Sequence, residues 1–260
     1  MKKNISFLIL VFSCSSLLFC SCSKQLDQIG KVTGSDGFAY IKIGQYSPSF
    51  RNIVNGRDSF NVYVNGNKIN GSFFTFGSIF PTASNLYAAV PTGNQLIRLT
   101  VNGVNTADSM TLGGFTKNLV AGTYYSFFLT DSLFSTDPSK QMFIQDNFSR
   151  TDTLHYTVRL VHAIPNDFGG NIDVYSFRLG ANMFSNISPT TATPFTVQPY
   201  TFSLDTLSVR RAGTSTELYR FNGVTFSRER AYTLVYKGLP NIPNSTAAPK
   251  GRALVSFFNQ

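Results

Sequence analysis

The chain has 260 residues, enough for two ordinary domains or one large one. Aromatics make up 14% (25 Phe, 12 Tyr, no Trp) against only 13% charged residues, which excludes disorder, since that needs low hydrophobicity and high charge. The net charge of +9 becomes +7 once Lys2 and Lys3 leave with an export leader; it is scattered, and Arg228-Glu229-Arg230 is its densest group, so no nucleic-acid partner is expected.

At the N-terminus, Lys2-Lys3 precedes an apolar stretch from Ile5 to Phe19. This has signal-peptide length and is too short and interrupted for a membrane span. It ends Leu18-Phe19-Cys20-Ser21-Cys22, which resembles the lipobox of bacterial lipoproteins. Ser21 supplies the small residue before the cysteine and Phe19 the larger apolar one. Bulky Phe19 directly before Cys20 makes Cys22 the expected lipidation site. Residues 1–21 are then a leader, and two or more acyl chains on Cys22 would anchor the protein stably. The expected location is the cell envelope, at the outer membrane, with the side of that membrane left open. The three cysteines stand at 14, 20 and 22, so the body beyond Cys22 has neither a disulfide nor a thiol nucleophile.

Residues 22–37 read as a tether: polar, with Gly30, Gly34 and Asp36-Gly37, and without sustained periodicity. From Phe38 onward the period is two. Ile97, Leu99 and Val101 alternate with Arg98, Thr100 and Asn102; Tyr125, Phe127 and Leu129 share a face; Val158 and Leu160 alternate with Thr157, Arg159 and Val161. Such segments predict half-buried strands. Asn55-Gly56, Asn65-Gly66, Asn70-Gly71, Asn102-Gly103 and Asn222-Gly223 predict tight turns, because Asn-Gly accepts the positive φ that hairpins require. No amphipathic helix is expected, and the pattern points to an all-β sandwich or barrel.

The strands repeat. Ile41-Lys42-Ile43 and Pro48 match Val158-Arg159-Leu160 and Pro165 at an offset of 117; Phe60-Asn61-Val62-Tyr63 matches Ile172-Asp173-Val174-Tyr175 at 112; Ile97, Leu99 and Gly103 match Leu207, Val209 and Gly213 at 110. Tyr124 is paired with Tyr232 at 108, and Met142 and Asn147 with Leu254 and Asn259 at 112. Insertions and deletions in loops make offsets drift in this way. Two domains are therefore expected, over 38–150 and 153–260.

Val158-Arg159-Leu160-Val161-His162-Ala163-Ile164-Pro165, followed by Ile172-Asp173-Val174-Tyr175, resembles the domain-of-unknown-function 4397 family. Ala121-Gly122-Thr123-Tyr124 resembles that family's Gly-x-Tyr strand, and Asp146-Asn147 its acidic turn between units. Ile164 departs from the family's Ser, and Gln45 stands in the first unit where the second has His162. The resemblance implies exported or surface proteins with two tandem immunoglobulin-like antiparallel β-sandwiches, and no known reaction.

Candidate chemistry is sparse. His155 and His162 are seven residues apart, hence on opposite faces of one strand, and cannot share a metal within it. His162 is expected to close the strand end by hydrogen bonding. Asp146 and Asp173 are possible paired acids of a glycosidase but read better as turn-capping groups. No Gly-x-Ser-x-Gly elbow, phosphate loop or metal motif is present. Phe73, Phe74, Phe76 and Phe80 follow an Asn-Gly turn and are the possible binding residues: adjacent rings on a strand cannot all face one core, so sandwich packing and an exposed platform both remain open. Four Asp-Ser/Thr-apolar triplets, at Asp108, Asp131, Asp152 and Asp205, resemble an O-glycosylation pattern of some bacteria. The functional expectation is a membrane-anchored, non-catalytic interaction module without a cofactor, whose partner is an unidentified protein or polysaccharide. A carbohydrate-binding accessory lipoprotein is the alternative, with a hydrolase third.

Overall fold

Alternating apolar residues can be buried only by stacking one sheet on another, and the chain does this twice. The computed structural model describes residues 37–48, 59–82, 86–101, 111–132, 141–149, 151–165, 167, 170–201, 203–240, 242–243 and 250–259. The leader, Cys22 and the tether up to residue 36 lie outside them, as do the Asn55-Gly56 and Asn102-Gly103 turns. The described residues form strands and no helix, and so none long and apolar enough to cross a membrane.

The first sandwich holds β1 (Phe38–Gln45), β2 (Phe60–Val64), β3 (Asn67–Lys68), β4 (Ile79–Phe80), β5 (Ala88–Pro91), β6 (Gly93–Val101), β7 (Thr111–Leu119), β8 (Tyr124–Leu129) and β9 (Met142–Gln145). One sheet runs β4-β1-β8-β9, with β5 also on β1; the other runs β3-β2-β6-β7. The second sandwich holds β10 (His155–His162), β11 (Ile172–Ser176), β12 (Ala181–Ile187), β13 (Thr191–Ala192), β14 (Thr196–Pro199), β15 (Asp205–Arg211), β16 (Glu217–Val224), β17 (Ala231–Lys237) and β18 (Ala253–Phe258). Its sheets run β13-β10-β17-β18, with β14 on β10, and β12-β11-β15-β16, the same order strand for strand. In each sandwich the first strand lies parallel to the eighth, and the other pairings are antiparallel.

The registers fix which positions correspond. Ile41 pairs with Tyr125, and Val158 with Tyr232. With Ile41 and Val158 equivalent, Tyr232 therefore answers to Tyr125, one residue later than the sequence match suggests. Both hydroxyls accept a hydrogen bond from the backbone five residues upstream, Val120 N at 3.1 Å and Ser227 N at 2.7 Å. Asp146 answers to Asn259, one residue earlier than the sequence match suggests: each amide bonds the carbonyl of the first residue of its neighbouring strand, Tyr124 O or Ala231 O.

Ile41, Ile43, Val62, Ile97, Leu99, Phe127 and Leu129 fill the first core; Val158, Leu160, Val174, Leu207, Val209 and Leu234 fill the second. The expectation of half-buried strands fails for β1, β8, β10 and β17, which are buried on both faces almost end to end. The reason is a third core between the sandwiches, where Tyr46, Phe128 and Met142 meet Val161, Val235 and Phe257. Gly44 is required here: a Cβ would fall 2.5 Å from the Tyr46 ring and 2.9 Å from that of Phe128. Residues 37–260 consequently form one compact unit of four stacked sheets.

Two turn expectations separate. Asn65-Gly66 closes the β2–β3 hairpin with φ of 47° and 85°. Asn222-Gly223 lies instead inside β16, where the register against β15 slips between Asp205 and Leu207, so its positive-φ glycine makes a bulge.

Candidate functional site

Strand alternation sends Lys42, Ser126, Arg159 and Thr233 away from the two sandwich cores and into the layer between them, where all four are buried. Arg159 Nη1 lies 2.6 Å from Asp146 Oδ1, with both side chains enclosed. Its Nη2 donates to Ser126 Oγ at 3.1 Å and its Nε to Thr233 Oγ1 at 2.9 Å. Ser126 Oγ and Tyr87 Oη each donate to Asp146 Oδ2 at 2.7 Å. Asn259 Nδ2 donates to Tyr87 Oη at 2.6 Å, and Thr233 Oγ1 to Asn259 Oδ1 at 2.7 Å. These bonds close a ring passing twice between the sandwiches. The Lys42 ammonium sits 4.6 Å from the Tyr87 ring centre and 5.1 Å from that of Phe257. Burial lowers its pKa from 10.5 to about 8; Asp146 opposes the shift and Arg159 adds to it. Breaking such a pair costs about 3–5 kcal/mol, because one charge stays buried without its partner.

Beside this network lies an open groove of about 410 Å³, lined by Gly122–Tyr124 and Gln145–Ser149. Its volume is in the usual range for small-ligand sites, about 300–1,000 Å³. Tyr40 and Tyr124, both partly exposed, stack with ring centres 4.8 Å apart and planes 18° from parallel. Phe148 packs on Tyr124 at 5.3 Å and reaches Phe195 of the second sandwich at 5.8 Å. Exposed Gln145 and Asn147 hold their amides together, Gln145 Nε2 donating to Asn147 Oδ1 at 3.2 Å. Desolvation first, then the neighbouring Tyr40, raises the pKa of Tyr124, so its hydroxyl stays protonated at neutral pH. A cleft of about 150 Å³ at the other end of β8, between Pro48, Pro165 and Leu239, is below that range.

The residues singled out in the sequence fall elsewhere. Phe74 is buried in the first core against Phe60, and Phe80, half-buried, packs on the same core from β4. Phe76 is covered by Lys237, whose Nζ lies 4.2 Å from the ring centre, and Phe73 alone is half exposed, at 50%. The four rings thus form no common platform, because the chain alternates them between core and surface. Cys22 is outside the described residues. His162 is buried at the end of β10, Nδ1 3.2 Å from Ile187 O and Nε2 3.4 Å from Asp167; its counterpart Gln45 accepts from Ser47 N. His155 pairs at the surface with Asp152, whose pKa falls through that hydrogen bond first. Asp173 caps, accepting from Asn186 N at 2.7 Å and Gly213 N at 3.0 Å. Asp146 does not cap; it pairs with Arg159, which alternation alone placed on a solvent face. Among the described triplets, Asp152-Thr153-Leu154 is exposed, whereas Asp205 and Leu207 are buried. Gly122-Thr123-Tyr124 of the Gly-x-Tyr strand and Asp146-Asn147 of the acidic turn mark the groove in the sequence, where nothing in their pattern points to a binding role. Among the described residues no three His, Cys, Asp or Glu side chains gather as a metal site would require.

Residues 49–166 match the model of a family described as a domain of unknown function (DUF4397). A comparison with curated proteins finds no match. The matched stretch begins four residues after β1, runs through the rest of the first sandwich and ends four residues past β10. Over those residues the chain is similar to that family, and the match takes in Val158–Pro165, the segment that carries the resemblance in the sequence.

Proposed function

We propose that this protein is a lipid-anchored, non-catalytic binding module of the cell envelope, built from two copies of one sandwich unit, with its ligand contacts in the Tyr40–Tyr124 groove. The observation carrying this reading is a contrast between equivalent positions. Where the first sandwich places Tyr40 and Tyr124, the second places Thr157 and Ala231 in the same parallel strand pair. The scaffold makes that pair without aromatic rings, so packing the strands does not call for two partly exposed tyrosines. The non-catalytic reading draws support from the titratable groups themselves: Asp146, Asp173 and His162 are engaged in internal bonds. The anchor rests on the leader and on Cys22.

A photo-reactive residue in place of exposed Ser149, at the groove edge, is expected to give a discrete adduct in intact cells, lost on replacing Tyr40 and Tyr124 by Thr and Ala. Absence of any adduct contradicts the reading. Cys22→Ser is expected to move the folded chain to the soluble fraction, and its persistence with membranes would overturn the anchor.

A further inference from the structure

We infer that the groove takes a neutral carbohydrate, a deepening that rests on the binding-module reading above. A pyranose presents two chemistries at once: a C–H face that packs on aromatic rings, and hydroxyls that both donate and accept. The groove presents the complement of each. Tyr124 and Phe148 line it, and Tyr40, stacked on Tyr124 at its edge, adds further partly exposed ring surface. Gln145 and Asn147 offer amides, each a donor and an acceptor at once. Their mutual bond uses one hydrogen of Gln145 and one acceptor of Asn147, which leaves further donors and acceptors on two exposed side chains. The Tyr124 hydroxyl, protonated at neutral pH, is a further two-way partner.

The charge pattern points the same way. Asp146 is the one carboxylate among the described lining residues, and it is occupied by Arg159, Ser126 and Tyr87 on the buried side. Arg159 is itself enclosed. Among the described residues the lining thus shows a ligand neither a free cation nor a free anion, which favours an uncharged glycan over an acidic one.

The test is a glycan array probed with the full chain in detergent micelles, carrying neutral and acidic oligosaccharides, alongside three variants. Tyr40→Thr with Tyr124→Ala copies the second sandwich and keeps the strand pair; Gln145→Ala and Asn147→Ala alter exposed side chains only. The expected result is retention of a set of neutral glycans, weakened about tenfold or more by the double variant, a loss of about 1.4 kcal/mol or more, and less by either amide variant, with the urea midpoint of the amide variants unchanged. No neutral glycan retained, retention of acidic glycans alone that fades with salt, or undiminished binding by the double variant together with both amide variants would overturn the inference. If glycans fail while the Ser149 adduct persists and depends on the tyrosines, the carbohydrate falls and the binding module stands. If both fail, both fall.

Discussion

The two sandwiches share strand order and register yet meet across the seam with different chemistry. Lys42 answers to Arg159, Tyr87 to Phe195, Ser126 to Thr233 and Asp146 to Asn259. Each cation lies over the ring from its own sandwich, Lys42 over Tyr87 and Arg159 over Phe195 at 4.7 Å. Among the described residues of this network only the first sandwich supplies a carboxylate, and Arg159 takes it. At the position of Asp146 the second sandwich has the neutral Asn259, and the pKa of Lys42 is lowered first by burial, with Asp146 opposing that shift. Two related surfaces have thus become a matched pair by making one half acidic. A symmetric seam would bury two guanidinium–carboxylate pairs, with a desolvation cost of several kcal/mol per ion.

Making the halves alike is the strongest way to break this arrangement. Asp146→Asn copies the second sandwich and leaves the Arg159 guanidinium buried without its counter-charge. We expect a stability loss of about 3–5 kcal/mol, read as a fall in urea midpoint at constant slope. Adding Arg159→Met to that variant is expected to restore most of the loss, since it removes the buried charge left without compensation.

The second test uses pH. Below pH 8 Lys42 is protonated in both folded and unfolded chains. Between about pH 8 and 10.5 the unfolded chain keeps a proton that the folded one sheds, so stability rises, by at most about 3 kcal/mol from this group. Lys237, also lowered by burial, adds in the same direction. Above pH 10 the sign reverses: burial raises the phenols of Tyr46, Tyr87, Tyr236 and Tyr156, the last to about 12, so the unfolded chain ionises first. Equilibrium unfolding across this range should show a maximum near pH 10, and Lys42→Met should flatten its rising limb. A flat curve in the parent protein would contradict the buried position of Lys42.

The smallest effect lies in a turn. Gly122 and Glu229 are equivalent and both adopt positive φ, 68° and 59°, a conformation that costs a side-chain-bearing residue about 1–2 kcal/mol. Glu229→Gly removes that strain but adds unfolded-state entropy, so a net gain under about 1 kcal/mol is expected in the melting midpoint.

Much of this fold was legible in period two. Ile41, Ile97, Tyr125 and Val158 point to the cores that alternation assigns them. The other face was not legible, because a polar residue opposite an apolar one reads as solvated whether it meets water or another protein layer. Lys42 and Arg159 show the ambiguity: equivalent, charged and buried, they carry no local mark distinguishing them from Arg98 on β6. Asp146 looked like a turn acid because its partner is distant in the chain and on another sheet. The Asn222-Gly223 bulge was missed because the dipeptide satisfies positive φ in a bulge as well as in a turn. The phenylalanines after Asn70-Gly71 are neighbours in the sequence, while Tyr40 and Tyr124 are 84 positions apart and meet only through the parallel pairing of β1 with β8.

The seam makes the two sandwiches one cooperative unit, and native-state hydrogen exchange tests this directly. Amides of β8 and β17 should open with the same free energy, and Asp146→Asn should lower both by the same amount although the substitution lies in the first sandwich. Unequal opening energies in the parent protein, or loss of protection in β8 with β17 unchanged, would contradict it.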